Sequence, residues 1–139
     1  MDTERNVETL REAYAAWSNS RGGSAQHWMD IVHDDVRFGS LARAAAPEVA
    51  FLTDYSNREA LGAYFAGVAK DWEMIHYTVS EFIAQGDVVV VRASMAWRNK
   101  RTGREVDTPK VDFWRFRGDK ACEVYEYYDT ARVIAAACD

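Results

Sequence analysis

The chain has 139 residues, 48% of them hydrophobic and 28% charged, with a formal charge of −5. That length suits one domain spanning residues 1–139, and the acidic balance, with Lys and Arg dispersed, excludes a nucleic-acid partner from expectation. No apolar run approaches the roughly 18 residues of a membrane span and no signal-peptide core precedes the first helix, so no membrane partner is expected and the cytoplasm is the expected compartment.

The first helix opens near Thr3, a capping residue type, and carries Val7, Leu10, Tyr14 and Trp17 at helical spacing. Ser18 to Gly23 ends it, and Ser24 is placed to cap a short second helix with Trp28, Ile31 and Val32. His33-Asp34-Asp35 reads as a break before a strand over Val36–Ser40. Residues 41–55 are the hardest to place; Glu48–Thr53 is read as a short strand, and the segment as a lid or dimer contact. Ser56-Asn57-Arg58-Glu59 has the form of a capping box and opens a third helix with Leu61, Tyr64, Phe65, Val68 and Trp72 on one side.

From Met74 the period changes to that of strands. Ile75–Gln85, a Gly86-Asp87 turn and Val88–Asn99 form a hairpin, and Lys100–Gly103 is a second hairpin loop. A long strand through Asp112 follows, then the Gly118-Asp119 turn, a strand over Ala121–Tyr128, and a terminal helix from Thr130 capped by Asp129. Helices first and a strand meander afterwards imply an α+β fold, with helices packed on one side of a curved antiparallel sheet.

Within that meander Asp112 stands out. Residues two apart on a strand point the same way, so Asp112 shares a face with Trp114 and Phe116. A carboxyl group among aromatics either costs stability or serves chemistry. The chain's five Trp, seven Tyr and six Phe allow the same two readings, core bulk or pocket wall. Trp17, Phe38, Tyr64, Phe65 and Trp97 are candidates for such a wall. Cys122 and Cys138 have neither metal spacing nor the numbers for a disulfide framework, and the His residues do not converge, so neither metal nor cofactor is expected.

The element order, with Leu10–Trp17, Asp34–Phe38, Asn57–Leu61, Val111–Phe116 and Glu126–Thr130, resembles the NTF2-like superfamily, particularly its SnoaL-like and ketosteroid-isomerase-like branch. The resemblance covers nearly the whole chain. It implies a cone-shaped, strongly curved sheet enclosing an apolar pocket, a small apolar ligand, and a homodimer formed through the sheet. In ketosteroid isomerases a helix Tyr and a strand Asp, kept protonated by its apolar site, donate to an enolate oxygen. Tyr14 and Asp112 fall on those positions. The general base of that family would stand where this chain has Ser40, and a serine at its ordinary pKa cannot fill the role. Scytalone-dehydratase-like proteins place a His early in the strand after the third helix, and His76 falls there. Limonene-epoxide-hydrolase-like proteins use an acid-arginine-acid set; Arg92 and Glu126 fall near two of its positions, but Ser94 occupies the third.

The reading is a pocket protein for a small, oxygen-bearing, largely apolar molecule. Its chemistry would be cofactor-free proton transfer, with Tyr14, Asp112 and His76 as the catalytic group. Trp17, Phe38, Ser40, Tyr64, Arg92, Trp97, Trp114 and Glu126 would line the pocket. The rival is a non-catalytic NTF2-like binding or dimerisation module.

Overall fold

A computed structural model describes residues 2–41 and 56–138. Helices α1 (Thr3–Asn19) and α2 (Ala25–Asp30) precede strand β1 (Val32–Ser40); helix α3 (Arg58–Asp71) leads directly into β2 (Trp72–Gln85), β3 (Val88–Asn99), β4 (Glu105–Arg117) and β5 (Lys120–Tyr128), and α4 (Thr130–Ala137) closes the described chain. The expected strand at 48–53 and the lid role of residues 42–55 lie outside the described residues. Among the described residues, no helix is long and apolar enough to cross a membrane.

The strands form one sheet in the order β1-β5-β4-β3-β2. β2 to β5 pair antiparallel, but β1 runs parallel to β5, so the sheet is mixed and not purely antiparallel as expected. The cause is the connection: β1 is separated from the meander by α3, and a crossover of that length returns the chain in either direction. Strand β1 also starts earlier than the sequence suggests, at Val32, with His33-Asp34-Asp35 inside it across an irregular stretch of register.

One face of the sheet is covered by helices. On β4 the even-numbered residues from Val106 to Phe116 are buried, and on β3 Val89, Val91, Ala93, Met95 and Trp97 are buried. Leu10, Ala13, Tyr14 and Trp17 of α1, Trp28 of α2, and Leu61, Tyr64 and Val68 of α3 pack onto that face. Irregularities between Met74 and His76 and between Val79 and Glu81 on β2, and between Arg115 and Phe116 on β4, bend the sheet around this core.

The helix ends follow ordinary capping chemistry, displaced by one residue from expectation at two places. Asp2, not Thr3, caps α1 by accepting from Arg5 N at 2.9 Å, which frees the Thr3 hydroxyl to donate to Gly86 O. Asn57, not Ser56, caps α3 through Ala60 N at 2.7 Å. Ser24 stands at the start of α2 without a side-chain cap bond, and Asp129 caps α4 as read from sequence. The last carbonyls of α4 are taken by the β3–β4 loop. Thr102 Oγ1 donates to Ala136 O, Arg101 to Ala137 O, and Arg104 to Ala135 O and Cys138 O. Two cations at a helix C-terminus also suit its dipole.

Candidate active site

The site grows from one row across the sheet. Val91 on β3 pairs with Asp112 on β4, Asp112 with Glu126 on β5, and Glu126 with Ser40 on β1. Side chains at such register positions share a face, so the two carboxyl groups stand side by side under the helices. Two residues before Asp112 on the same face is Lys110. All three are buried, with exposures of 3% for Asp112, 4% for Glu126 and 8% for Lys110.

The Lys110 ammonium is the hub. It pairs with Glu126 Oε2, stands 3.3 Å from Asp112 Oδ1, and donates to Tyr77 Oη at 2.8 Å. From the helix side, the Tyr14 hydroxyl donates to Asp112 Oδ2, and Trp114 Nε1 donates to Tyr14 Oη at 2.9 Å. Tyr77 Oη lies 3.5 Å from the same Asp112 oxygen. Two acceptors in this otherwise paired cluster, Asp112 Oδ1 and Glu126 Oε1, are buried without a hydrogen-bond partner among the described residues; Oδ1 has only the ion-pair contact with Lys110.

Burial and charge shift these groups strongly. Burial pushes the Tyr14 hydroxyl well above its ordinary value, and the neighbouring Asp112 adds to the effect. Tyr77, Tyr64 and Tyr128 are raised for the same first reason, burial, followed by a nearby carboxylate. Burial works against the charge on Lys110, yet Asp112 and Glu126 outweigh it and hold the ammonium well above the usual lysine range. Glu126 is pushed up to about 7 by burial, against the pull of Lys110 and with a further push from Asp112. One ammonium between two carboxyl groups leaves one negative charge in excess when both are ionised, and burial makes that excess costly.

These groups line a cavity of about 50 Å³. By the same measure one water molecule needs roughly 10–15 Å³, so the space takes a small molecule of a few heavy atoms. Its apolar wall is aromatic: Trp17, Trp28, Phe38, Tyr64, Phe65, Trp97 and Trp114 all contribute. Trp28 stacks on Trp114 with centroids 5.5 Å apart, and Tyr14 meets Trp28 edge-on at 4.9 Å. Gly22, at φ +81°, lets the chain leaving α1 pass against this wall; a Cβ there would sit 3.4 Å from the Trp97 ring.

Of the residues singled out from sequence, the cavity brings together Tyr14, Asp112, Trp17, Phe38, Tyr64, Trp97, Trp114 and Glu126. Ser40 is fully buried beside Glu126 in register, and its hydroxyl bonds Tyr128 instead of lining the cavity. Two expectations need correction. His76 does not reach the cavity: its side chain is 42% exposed, with Nε2 3.7 Å from Asp107. The extra residue in β2 between Met74 and His76 reverses the strand's alternation, so Tyr77 faces inward in its place. Arg92 likewise lies on the outer face, opposite to Val91, and pairs with Glu81 at 3.1 Å. The acid-cation-acid set sought around Arg92 is present one strand over, as Asp112, Lys110 and Glu126. Sequence reasoning misses Lys110 and Tyr77. For Lys110 a signal exists, since it shares strand parity with Asp112; for Tyr77 it is hidden by the bulge.

A model of the SnoaL-like domain matches residues 10–124. The chain belongs to the SnoaL-like family. Its fold is NTF2-like. An NTF2-like protein of unknown function from Burkholderia pseudomallei K96243 is 23% identical, with a TM-score of 0.85 over 98% of this chain and 99% of that one. A protein of ketosteroid isomerase-like fold from Catenulispora acidiphila DSM 44928, in complex with trimethylamine, is 18% identical, with a TM-score of 0.70 over 88% and 89%. TerC, co-crystallized with polyporic acid, is 20% identical, with a TM-score of 0.77 over 96% and 98%. Among curated proteins none matches. The SnoaL-like match includes Tyr14, Lys110 and Asp112 and stops two residues before Glu126.

Removing the hub should be costly. Lys110→Met leaves two buried carboxyl groups facing each other and is expected to lower stability by about 3–5 kcal/mol in urea unfolding near neutral pH. The pH dependence of stability follows from Glu126. Its folded value of about 7 exceeds its ordinary value of 4.5, so the folded chain holds the extra proton between those pH values. The stabilisation is full below 4.5 and is lost as pH rises through 7, on the order of 3 kcal/mol in all. Urea midpoints at pH 5 and pH 7.5 should therefore separate in the wild type and draw together in Glu126→Gln.

Proposed function

We propose that this SnoaL-like chain carries out cofactor-free proton transfer on a small, largely apolar, oxygen-bearing molecule, as an isomerase, dehydratase or cyclase. Glu126 accepts the proton and returns it, Asp112, held by the Tyr14 hydroxyl, orients the reacting oxygen, and Lys110 holds the two carboxyl groups in place. One observation carries this reading: Glu126 and Asp112 are register partners that both line an aromatic-walled cavity, each with a buried oxygen that the described residues leave without a hydrogen bond. A general acid-base group works best when its pKa is near the operating pH, and Glu126 at about 7 meets that condition. Ser40, at the position of the base in ketosteroid isomerases, stands directly beside Glu126 in register, so the carboxyl group is supplied from β5. Solved relatives of the same fold bind small molecules, trimethylamine in one case and polyporic acid in another.

The test is a panel of small hydroxylated and carbonyl compounds incubated with the protein in deuterated water and followed by mass spectrometry. Wild type should convert, or exchange carbon-bound hydrogen in, at least one compound, and Glu126→Gln should lose at least about a hundredfold of that rate. Equal rates in the two proteins would sink the assignment of Glu126.

A second reading is favoured by the acid-cation-acid set itself. Two carboxyl groups bridged by a cation on neighbouring strands match the arrangement by which limonene-epoxide-hydrolase-like proteins activate water, and the cavity has room for one. Incorporation of labelled oxygen from water into a product separates hydrolysis from internal proton transfer.

The partner proposed for the outer face of the sheet is a second copy of the chain. Val90, Phe113 and Tyr125 form one row there, and Arg92, Val111 and Tyr127 the next. Tyr127 is 46% exposed, a large amount for an aromatic side chain on a sheet. Light scattering coupled to size exclusion should give a dimer for wild type and a monomer for Phe113→Glu combined with Tyr127→Glu.

A further inference from the structure

An oxyanion-binding site needs donors aimed at the ligand, yet in this cavity the donors around the carboxyl groups already face them, the Tyr77 hydroxyl most loosely at 3.5 Å from Asp112 Oδ2. The Tyr14 hydroxyl donates to Asp112 Oδ2, and its own oxygen accepts from Trp114 Nε1. The Lys110 ammonium faces Tyr77 Oη, Glu126 Oε2 and Asp112 Oδ1, and the Tyr64 hydroxyl bonds Glu126. With Glu126 ionised, above about pH 7, what the cluster has left is acceptor capacity: Glu126 Oε1 has no hydrogen-bond partner among the described residues, and Asp112 Oδ1 has only its ion-pair contact. A carbonyl or enolate oxygen entering here would have to draw a donor away from a buried carboxyl group and would meet bare acceptors besides. A ligand O–H or N–H that reaches these buried oxygens would complete the cluster without taking a donor from it.

We infer that the polar floor of the cavity receives a hydrogen-bond-donating group of the ligand, a hydroxyl or an ammonium, and not a carbonyl or enolate oxygen. The inference rests on the pocket reading above and narrows its substrate class to molecules that present a donor to Glu126 and Asp112. The space of about 50 Å³ admits that donor with a slim apolar body lying against the wall that Trp17, Trp28 and Trp97 help to form. The same wall of aromatic faces suits either source, since ring faces accept the apolar body of an alcohol and attract a cation.

Three probes of nearly the same shape separate the outcomes: propan-2-ol, acetone and isopropylammonium. Each is titrated into the full chain labelled with nitrogen-15, and the indole N–H signals are followed, Trp114 above all because its N–H donates to Tyr14. The expected result is that at least one donor probe binds about tenfold tighter than acetone, the usual worth of a hydrogen bond to a charged group. Preference for the alcohol identifies a hydroxyl ligand, and preference for isopropylammonium at pH 8 a cationic one. In Glu126→Gln the side-chain amide offers donors of its own, so the ratio of donor to acetone affinity should fall towards one. Acetone binding as tightly as both donors in the wild type, or a ratio unchanged in Glu126→Gln, overturns the inference. Probes that discriminate while the deuterium assay shows no turnover leave this inference standing and remove the catalytic one. Probes that leave every indole signal unmoved overturn the pocket reading and this inference together.

Discussion

A lysine ammonium enclosed by two carboxyl groups under a lid of aromatic rings imposes its terms on everything around it. Lys110 cannot be buried without Asp112 and Glu126, and neither carboxyl group can be buried without Lys110. Their positions follow from sheet geometry alone, with two on β4 separated by one residue and the third directly across on β5. Tyr14 and Trp114 then extend the network to the helix layer, so α1 is tied to the sheet by a chain of hydrogen bonds as well as by packing. Apolar residues of similar volume would hold these elements together as well or better. A buried ionic cluster of this kind is weak evidence for stability and stronger evidence that the position has a task.

Which side chains join the cluster depends on where the strands break their alternation. On β2 the single extra residue before His76 turns the imidazole outward and Tyr77 inward, where its hydroxyl accepts from Lys110. Between β4 and β5 the irregularity, at Cys122 opposite Arg115 and Phe116, lies to one side of the site, which leaves the pairing of Asp112 with Glu126 regular. Bulges that bend the sheet therefore also select the chemistry of its inner face.

Much of this is legible in the amino-acid sequence. Hydrophobic periodicity and turn residues locate the helices and the meander to within a few positions, because long amphipathic segments carry a strong signal. The burial of Asp112 among aromatics follows from strand parity, and so does the facing of Trp97 and Val91. Resemblance to scytalone-dehydratase-like proteins draws His76 into the pocket, and nothing in Met74-Ile75-His76 announces the bulge that turns it outward. Family resemblance draws Arg92 into the pocket although its own parity places it outside. Lys110 escapes notice for a different reason, since a lysine after a proline reads as surface and the parity it shares with Asp112 gives only one of the two partners that permit its burial. The parallel pairing of β1 with β5 is a long-range choice that local sequence does not encode.

The polar floor of the cavity is carried by strands, apart from Tyr14 and Tyr64, whereas most of the aromatic wall comes from three helices. Trp17, Trp28 and Phe65 thus stand on elements that carry neither the ammonium nor the two carboxyl groups. Exchanging Trp17, Trp28 or Phe65 for a smaller side chain would alter the size and shape of what fits while the proton-handling groups kept their backbone support. Descendants of this chain could change the molecules they accept through the helix layer alone, leaving untouched the strands that carry the ammonium and the two carboxyl groups.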